Sequence, residues 1–286
     1  MKATALILIC ILLVTLLGGC CQEPTAQVAA TTLPVYQFTQ RLCDDTGISV
    51  TRLVTESVSC LHDYSLNVSQ VRAAEAAEVV VISGMGLEDF MGDILSEDNT
   101  IDSSSGIEAA HSEHHHEHHH HEEDSHIWLA PHNAKQMARN ICDGLCRRYP
   151  AHADTFQKNL ATLLADLDTL EDYAEQTLAE LSCRELITFH DGFTYLAESF
   201  DLTILKAIEE ESGSEASAQE LIELTQLVQK HQLPAIFVET NGSASAAQII
   251  AAETGATIHS LDMAMAGDDY FEAMYHNIDT IKEALG

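Results

Sequence analysis

Between Ala151 and Leu181 the chain carries neither glycine nor proline, and Phe156, Leu160, Leu163, Leu167, Leu170, Ala174, Leu178 and Leu181 recur at spacings of three and four. That spacing lines apolar side chains along one face of an α-helix, so the segment predicts one long amphipathic helix. At 1.5 Å per residue it would span roughly 45 Å, more than one small lobe needs, which suits a backbone joining two lobes. A coiled-coil dimer would use the same stripe and is the competing expectation.

On either side of this helix the pattern alternates short β-like runs with helical ones. Before it come Ile48 to Val54 and Glu78 to Ile82, then a helix started by Pro131 and carried by Ala138, Ile141 and Leu145 as far as Tyr149-Pro150. After it come Glu185 to Phe189, Leu202 to Ala207, Ala235 to Glu239 and Ala256 to Leu261, with a final helix from about Asp269 to Leu285. Alternation of this kind predicts an α/β class with two (β/α) lobes and a cleft between them. The expected division is 26–150 for the N-terminal lobe, 151–182 for the linking helix and 183–286 for the C-terminal lobe.

The N-terminus reads as export machinery. Lys2 precedes an apolar run from Ala3 to Leu17, long enough for a signal-peptide core and short for a bilayer span. The run ends in Leu17-Gly18-Gly19-Cys20, which resembles a bacterial lipobox. Residues 1–19 would then be removed, Cys20 would carry the lipid, and 20–25 would be a tether; an uncleaved anchor helix is the alternative. The formal net charge of −32 argues against nucleic acid and against electrostatic binding to anionic lipid, and it favours a cationic ligand. Export permits disulfides, yet no pairing of Cys43, Cys60, Cys142, Cys146 and Cys183 follows from spacing. Cys142 and Cys146 share one helix face, where regular geometry disfavours a disulfide, and no CxxC pair suggests a zinc–thiolate site.

One low-complexity segment, 111–125, holds His111, His114, His115, His116, His118, His119, His120 and His121 among acidic residues, with nothing apolar between 111 and 124 to enter a core. It predicts a solvated loop that holds several ions loosely, since neutral imidazole binds zinc, copper and nickel. A selective site needs isolated ligands brought together by the fold. His62 lies downstream of Val54, His126 stands between the loop and Ile127-Trp128-Leu129, and His190 follows Leu186 to Phe189. Asp262 follows Ile258 to Leu261 in the same way, although it could equally cap the next helix. In open α/β sheets ligands collect outside the carboxyl ends of strands, so these positions can converge, and three imidazoles with one carboxylate complete a tetrahedral zinc shell.

Three segments carry a resemblance: His62-Asp-Tyr-Ser-Leu66, Asp124-Ser-His126-Ile-Trp-Leu129 and Phe189-His190-Asp-Gly-Phe193-Thr-Tyr195. In order and spacing they resemble the histidine motifs of zinc-specific ABC-transporter solute-binding lipoproteins, the ZnuA-type cluster A-I family. Leu33-Pro-Val-Tyr36, Gly84-Met-Gly-Leu-Glu88, Glu253-Thr-Gly-Ala256 and Leu261-Asp262 agree with it, so the resemblance covers nearly the whole mature chain.

The resemblance implies a bilobed fold on one rigid helix, Zn2+ in the cleft, the His-rich insertion beside its mouth, and delivery to an ABC permease with its cytoplasmic ATPase. It implies an extracytoplasmic, lipid-anchored monomer. Manganese-specific members place a carboxylate at the third ligand position, whereas this chain has His190, and an all-imidazole trio favours zinc. Two departures stand out. Leu61 occupies the place where some zinc binders carry a ligating carboxylate, so the fourth position falls to Asp262 or to water. Ser125 and Ala130 replace residues that the family usually has around the second histidine, without removing a ligand. A zinc enzyme would also use three histidines and an open fourth position, but no HExxH helix and no general base with its own motif are present, so no enzymatic activity is expected. A surface buffer or adhesin built on the loop alone would not need the distant trio.

Overall fold

Four short parallel strands open the fold: β1 (Val28–Ala30), β2 (Val50–Arg52), β3 (Val79–Ile82) and β4 (Thr100–Asp102), hydrogen-bonded in the order β2-β1-β3-β4. The structure is a computed structural model that describes residues 27–56, 61, 64–110, 124–208, 216–265 and 267–286. β1 is buried along its whole length and β3 along its first three residues, as expected of strands in a parallel sheet covered on both faces. A second parallel sheet holds β5 (Glu185–Thr188), β6 (Thr203–Ala207), β7 (Ala235–Glu239) and β8 (Thr257–Leu261) in the order β6-β5-β7-β8. Two α/β lobes of parallel sheet are therefore present, each with the same relative strand order. The runs read from sequence match these strands to within one or two residues at most ends. β1 and β4, at three residues each, are too short for periodicity to announce.

The helices α1 (Leu33–Cys43), α2 (Val68–Ala76), α3 (Pro131–Arg148), α4 (Ala153–Leu178), α5 (Thr194–Ser199), α6 (Ala218–His231), α7 (Ser245–Thr254) and α8 (Tyr270–Leu285) connect and cover the sheets. Their starts follow local chemistry. Proline stands in the first turn of α1 and α3. Reciprocal capping boxes open α2 (Asn67 with Gln70) and α6 (Ser217 with Glu220). Asp269 accepts from the backbone N–H groups of Phe271 and Glu272 at the start of α8.

α4 is the long helix the apolar stripe predicts, with 26 residues and so a length of about 39 Å. It is shorter than expected because Pro150–His152 forms a separate 3-10 turn ahead of it. Behind it, the N–H groups of Ser182 and Cys183 turn to the carbonyl of Leu285. Phe156, Leu160, Leu163, Leu167, Leu170, Ala174 and Leu178 are all buried, and α4 packs on α1, α3 and α8. The stripe is consumed inside one chain, which answers the coiled-coil alternative. Lys135 clamps α3 to α4 through Asp168 at 2.8 Å and Glu171 at 2.5 Å.

The segment between β8 and α8 crosses to the first lobe. Arg52 donates to the carbonyls of Gly267 at 2.7 Å and Met265 at 3.0 Å, and the Tyr270 N–H donates to Gln37 Oε1 at 2.7 Å. Phe38 meets Tyr270 edge to face, with ring centroids 5.0 Å apart. Among the described residues no helix is long and apolar enough to cross a membrane.

Candidate metal centre

All strands of the second sheet run the same way, so residues at their carboxyl ends share one edge. His190 lies two residues past β5, Glu239 is the last residue of β7, and Asp262 is the first after β8. His126 reaches this edge from the other side, at the N-cap of a 3-10 turn, Ile127–Leu129, that leads into α3. The His126 and His190 rings lie 5.2 Å apart, edge to face. Gly192 passes between them: a Cβ there would stand 2.7 Å from His126 Nδ1, 2.8 Å from His190 Cδ2 and 2.5 Å from Met263 Cε. Only glycine lets the backbone come this close.

Each imidazole has a carboxylate behind it. Asp124 Oδ1 accepts from the His126 backbone N–H at 2.9 Å and lies 2.8 Å from Nδ1. This fixes the tautomer with the proton on Nδ1 and leaves Nε2 as a lone-pair donor. His126 is only 2% exposed, and its Nε2 is buried with no hydrogen-bond partner among the described residues. A buried acceptor without a partner is destabilising unless something else fills its lone pair. Burial alone would raise the Asp124 carboxyl; its hydrogen bonds to the His126 ring and backbone outweigh it and hold Asp124 below its ordinary value. His190 Nδ1 stands 3.7 Å from Glu239 Oε2, an ion-pair distance too long for a hydrogen bond. Burial, and secondarily the negative charge of Asp262, push the Glu239 carboxyl up to about 8.

The surrounding backbone is pinned across the lobes. The Trp128 indole N–H donates to the carbonyl of Met263 at 2.7 Å, and the Tyr270 hydroxyl donates to the carbonyl of Trp128 at 2.7 Å. Asp262 is set by a 2.7 Å bond from the Ala264 N–H to its Oδ1, while Asn277 accepts from its N–H and donates to its carbonyl, each at 2.7 Å. Its carboxylate orders the turn after β8 and does not cap α8, where Asp269 does that work.

Of the sequence-predicted ligands, His126 and His190 come together, and Asp262 lies close enough to act electrostatically on Glu239. His62, Cys20 and His111, His114, His115, His116, His118, His119, His120 and His121 lie outside the described residues. Among the described residues no group of three or more His, Cys, Asp or Glu could hold a metal ion.

Residues 28–284 match the family model described as zinc-uptake complex component A, periplasmic (ZnuA). The chain belongs to the ZnuA family. A Treponema pallidum (strain Nichols) protein named for metal binding is 30% identical over 240 residues, covering 78% of this chain and 76% of its own length. The zinc-binding lipoprotein AdcA of Streptococcus pneumoniae (strain ATCC BAA-255 / R6) is 27% identical over 90% of this chain, which spans only about half of AdcA, 55%. A crystal structure of ZnuA superposes with a TM-score of 0.78 at 29% identity, covering 91% of this chain and 100% of that one.

Sequence reasoning missed two residues of this arrangement. Glu239 ends the apolar run Ala235 to Val238, the same strand-end position that singled out Asp262, and could have been found by the same rule. Asp124 stands two residues before His126, the reach of a side chain that closes back on its own ligand.

Proposed function

We propose that this chain is the extracytoplasmic receptor of a zinc importer. Its Zn2+ cargo is held by His62, His126, His190 and Asp262. The observation that carries this reading is the His126 Nε2: buried, unpartnered, with its proton fixed on the far nitrogen and a second imidazole 5.2 Å away. A lone pair prepared in this way fits a borderline-soft cation. The zinc named in the ZnuA family and in AdcA agrees with it. Asp262 supplies negative charge toward a divalent ion, and Glu239, whose carboxyl is raised by burial and by Asp262, adds a second charge only when ion binding displaces its proton. The chemistry is capture and release, with no turnover.

The remaining parts follow the same reading. Residues 1–19 are a signal peptide, Cys20 carries the lipid anchor and 20–25 the tether; lobes 26–150 and 183–286 are joined by 151–182. The receptor works as a monomer and docks directly on the permease of an ABC importer, whose ATPase lies in the cytoplasm. The His-rich loop, 111–125, collects loosely held ions.

The deciding experiment is a zinc titration against a chelating competitor, using a soluble form that starts after Cys21 and lacks 111–121. One tight site is expected to survive. Loss of all tight binding would move the function to the loop and remove the cleft assignment.

A further inference from the structure

Away from the cleft, α3 carries a second set of metal-ligating atoms that the zinc site does not use. Cys142 and Cys146 stand one turn apart with their sulfurs 4.0 Å from each other. The step from Pro131 to Cys142 is about 16 Å along the helix axis, so the pair lies well removed from the histidines. Both are free thiols, Cys142 fully buried and Cys146 half-buried. The Gln157 amide Nε2 donates to both sulfurs, at 3.4 Å to Cys142 and 3.9 Å to Cys146, and the Cys146 thiol donates to the carbonyl of Ala153 at 3.9 Å.

We infer that Cys142 and Cys146 form a two-thiolate site for a soft, low-coordinate d10 cation such as Cu(I), with Gln157 bonding to the sulfurs. The spacing supports this. With metal–sulfur bonds of about 2.3 Å, two sulfurs sharing one ion lie about 3.8 Å apart at a tetrahedral angle and about 4.6 Å apart when linear. The observed 4.0 Å corresponds to an angle of about 120° at the ion, and the linear limit is reached when side-chain rotation parts the sulfurs by about 0.6 Å, without moving the helix. A disulfide would require the sulfurs to close to about 2.05 Å against regular helix geometry.

The coordination number selects the ion. Zinc takes four ligands in a structural site, and no third His, Cys, Asp or Glu joins this pair among the described residues. Thiolates favour Cu(I), for which two of them suffice. Burial, then the neighbouring Cys146, pushes the Cys142 thiol up to about 12, so without an ion Cys142 stays protonated and poorly nucleophilic. On binding, each ligating thiol releases its proton to solvent. A singly charged ion in place of two protons leaves one net negative charge, toward which the Gln157 N–H groups point.

The test uses the full mature chain under reducing, anaerobic conditions, with one equivalent of Cu(I) presented as a complex with a chromogenic Cu(I) chelator. Thiol alkylation read peptide by peptide is expected to slow at least tenfold at Cys146 when Cu(I) is added, while added zinc leaves it unchanged. Native mass spectrometry is expected to lose one competitor-resistant Cu(I) in Cys146→Ser and to keep it in Cys183→Ser. Equal alkylation with and without Cu(I) would overturn the site, and so would retention of the ion in Cys146→Ser. A native chain already two mass units light, with Cys142 and Cys146 in one linked peptide, would overturn it in favour of a disulfide. Cleft zinc affinity is expected to stay unchanged in Cys146→Ser, so failure here is distinguishable from failure of the zinc reading.

Discussion

The two sheets share one strand order, yet their carboxyl edges are furnished in opposite ways. In the first sheet the edge is filled from within: Glu88, 3% exposed, accepts from Thr31 Oγ1 at 2.6 Å and from the N–H groups of Ser83 and Gly84 at 2.8 and 3.0 Å. Around it Thr32 and Ser83 share a hydroxyl bond of 2.9 Å, and Ser103 donates to the Ser83 carbonyl at 2.9 Å. Gly84, at φ +89°, keeps the turn open for this closure, because a Cβ there would stand 2.2 Å from Asp102 Oδ1. In the second sheet the same edge presents His190, Glu239 and Asp262, and the imidazole facing them, His126, keeps an unpartnered nitrogen. Parallel topology therefore gives each lobe a carboxyl-end edge, and side chains decide which polar groups that edge uses internally and which it leaves available.

The strongest way to break that comparison is to exchange the consequences. His190→Ala is expected to weaken competitor-measured zinc binding more than about a hundredfold, beyond the range usual for an outer-shell partner, with little change in the melting curve. Glu88→Ala is expected to do the reverse, lowering stability by about 3 kcal/mol through three orphaned donors and a cavity, with zinc stoichiometry intact. A zinc defect in Glu88→Ala at a temperature where it is fully folded would erase the distinction.

A sharper test lies in the pH dependence of the metal-free protein. Glu239 is raised from 4.5 to about 8, so the folded chain holds a proton there that the unfolded chain has lost. Its contribution to stability is present below about 4.5 and disappears as pH rises through about 8, with a limiting slope on the order of 1.4 kcal/mol per unit. Denaturant melts of Glu239→Gln between these values are expected to show a flatter pH profile than wild type; an unchanged profile would mean that the buried carboxyl is not the titrating group.

The smallest effect concerns what the lobes have in common. α2 and α6 each follow the second strand of their sheet, and each starts with a capping box, Asn67 with Gln70 and Ser217 with Glu220. Asn67→Ala and Ser217→Ala are each expected to reduce stability by about 1 kcal/mol. A large difference between them in thermal denaturation would indicate that one lobe depends on its helix start more than the other.

Much of this was legible in one dimension. The buried stripe of α4, the proline start of α3, and the strand β7 follow from side-chain spacing and backbone chemistry that act over a few residues. His126, His190 and Asp262 were identified because they sit at or next to the ends of such elements. The strands β1 and β4 were illegible, since three residues show no period and they are held by their neighbours, whereas the equally short β2 stands inside the longer run Ile48 to Val54. Roles that depend on contact were hidden as well. Asp124 selects the His126 tautomer, Glu239 faces His190, and Glu88 fills the other edge, each by a distance that spacing does not encode.

By itself the sequence determined the elements and the chemical types available at their ends, because periodicity, capping and ligand softness are local properties of side chains. Only the tertiary structure decided which ends meet. Parallel strands bring His190, Glu239 and Asp262 to one edge across more than seventy residues of chain, and the turn before α3 delivers His126 to them, leaving one buried nitrogen without a partner among the described residues. Desolvation and proximity, which set the protonation of Glu239 and the bare lone pair of His126, arise only when distant segments exclude water together.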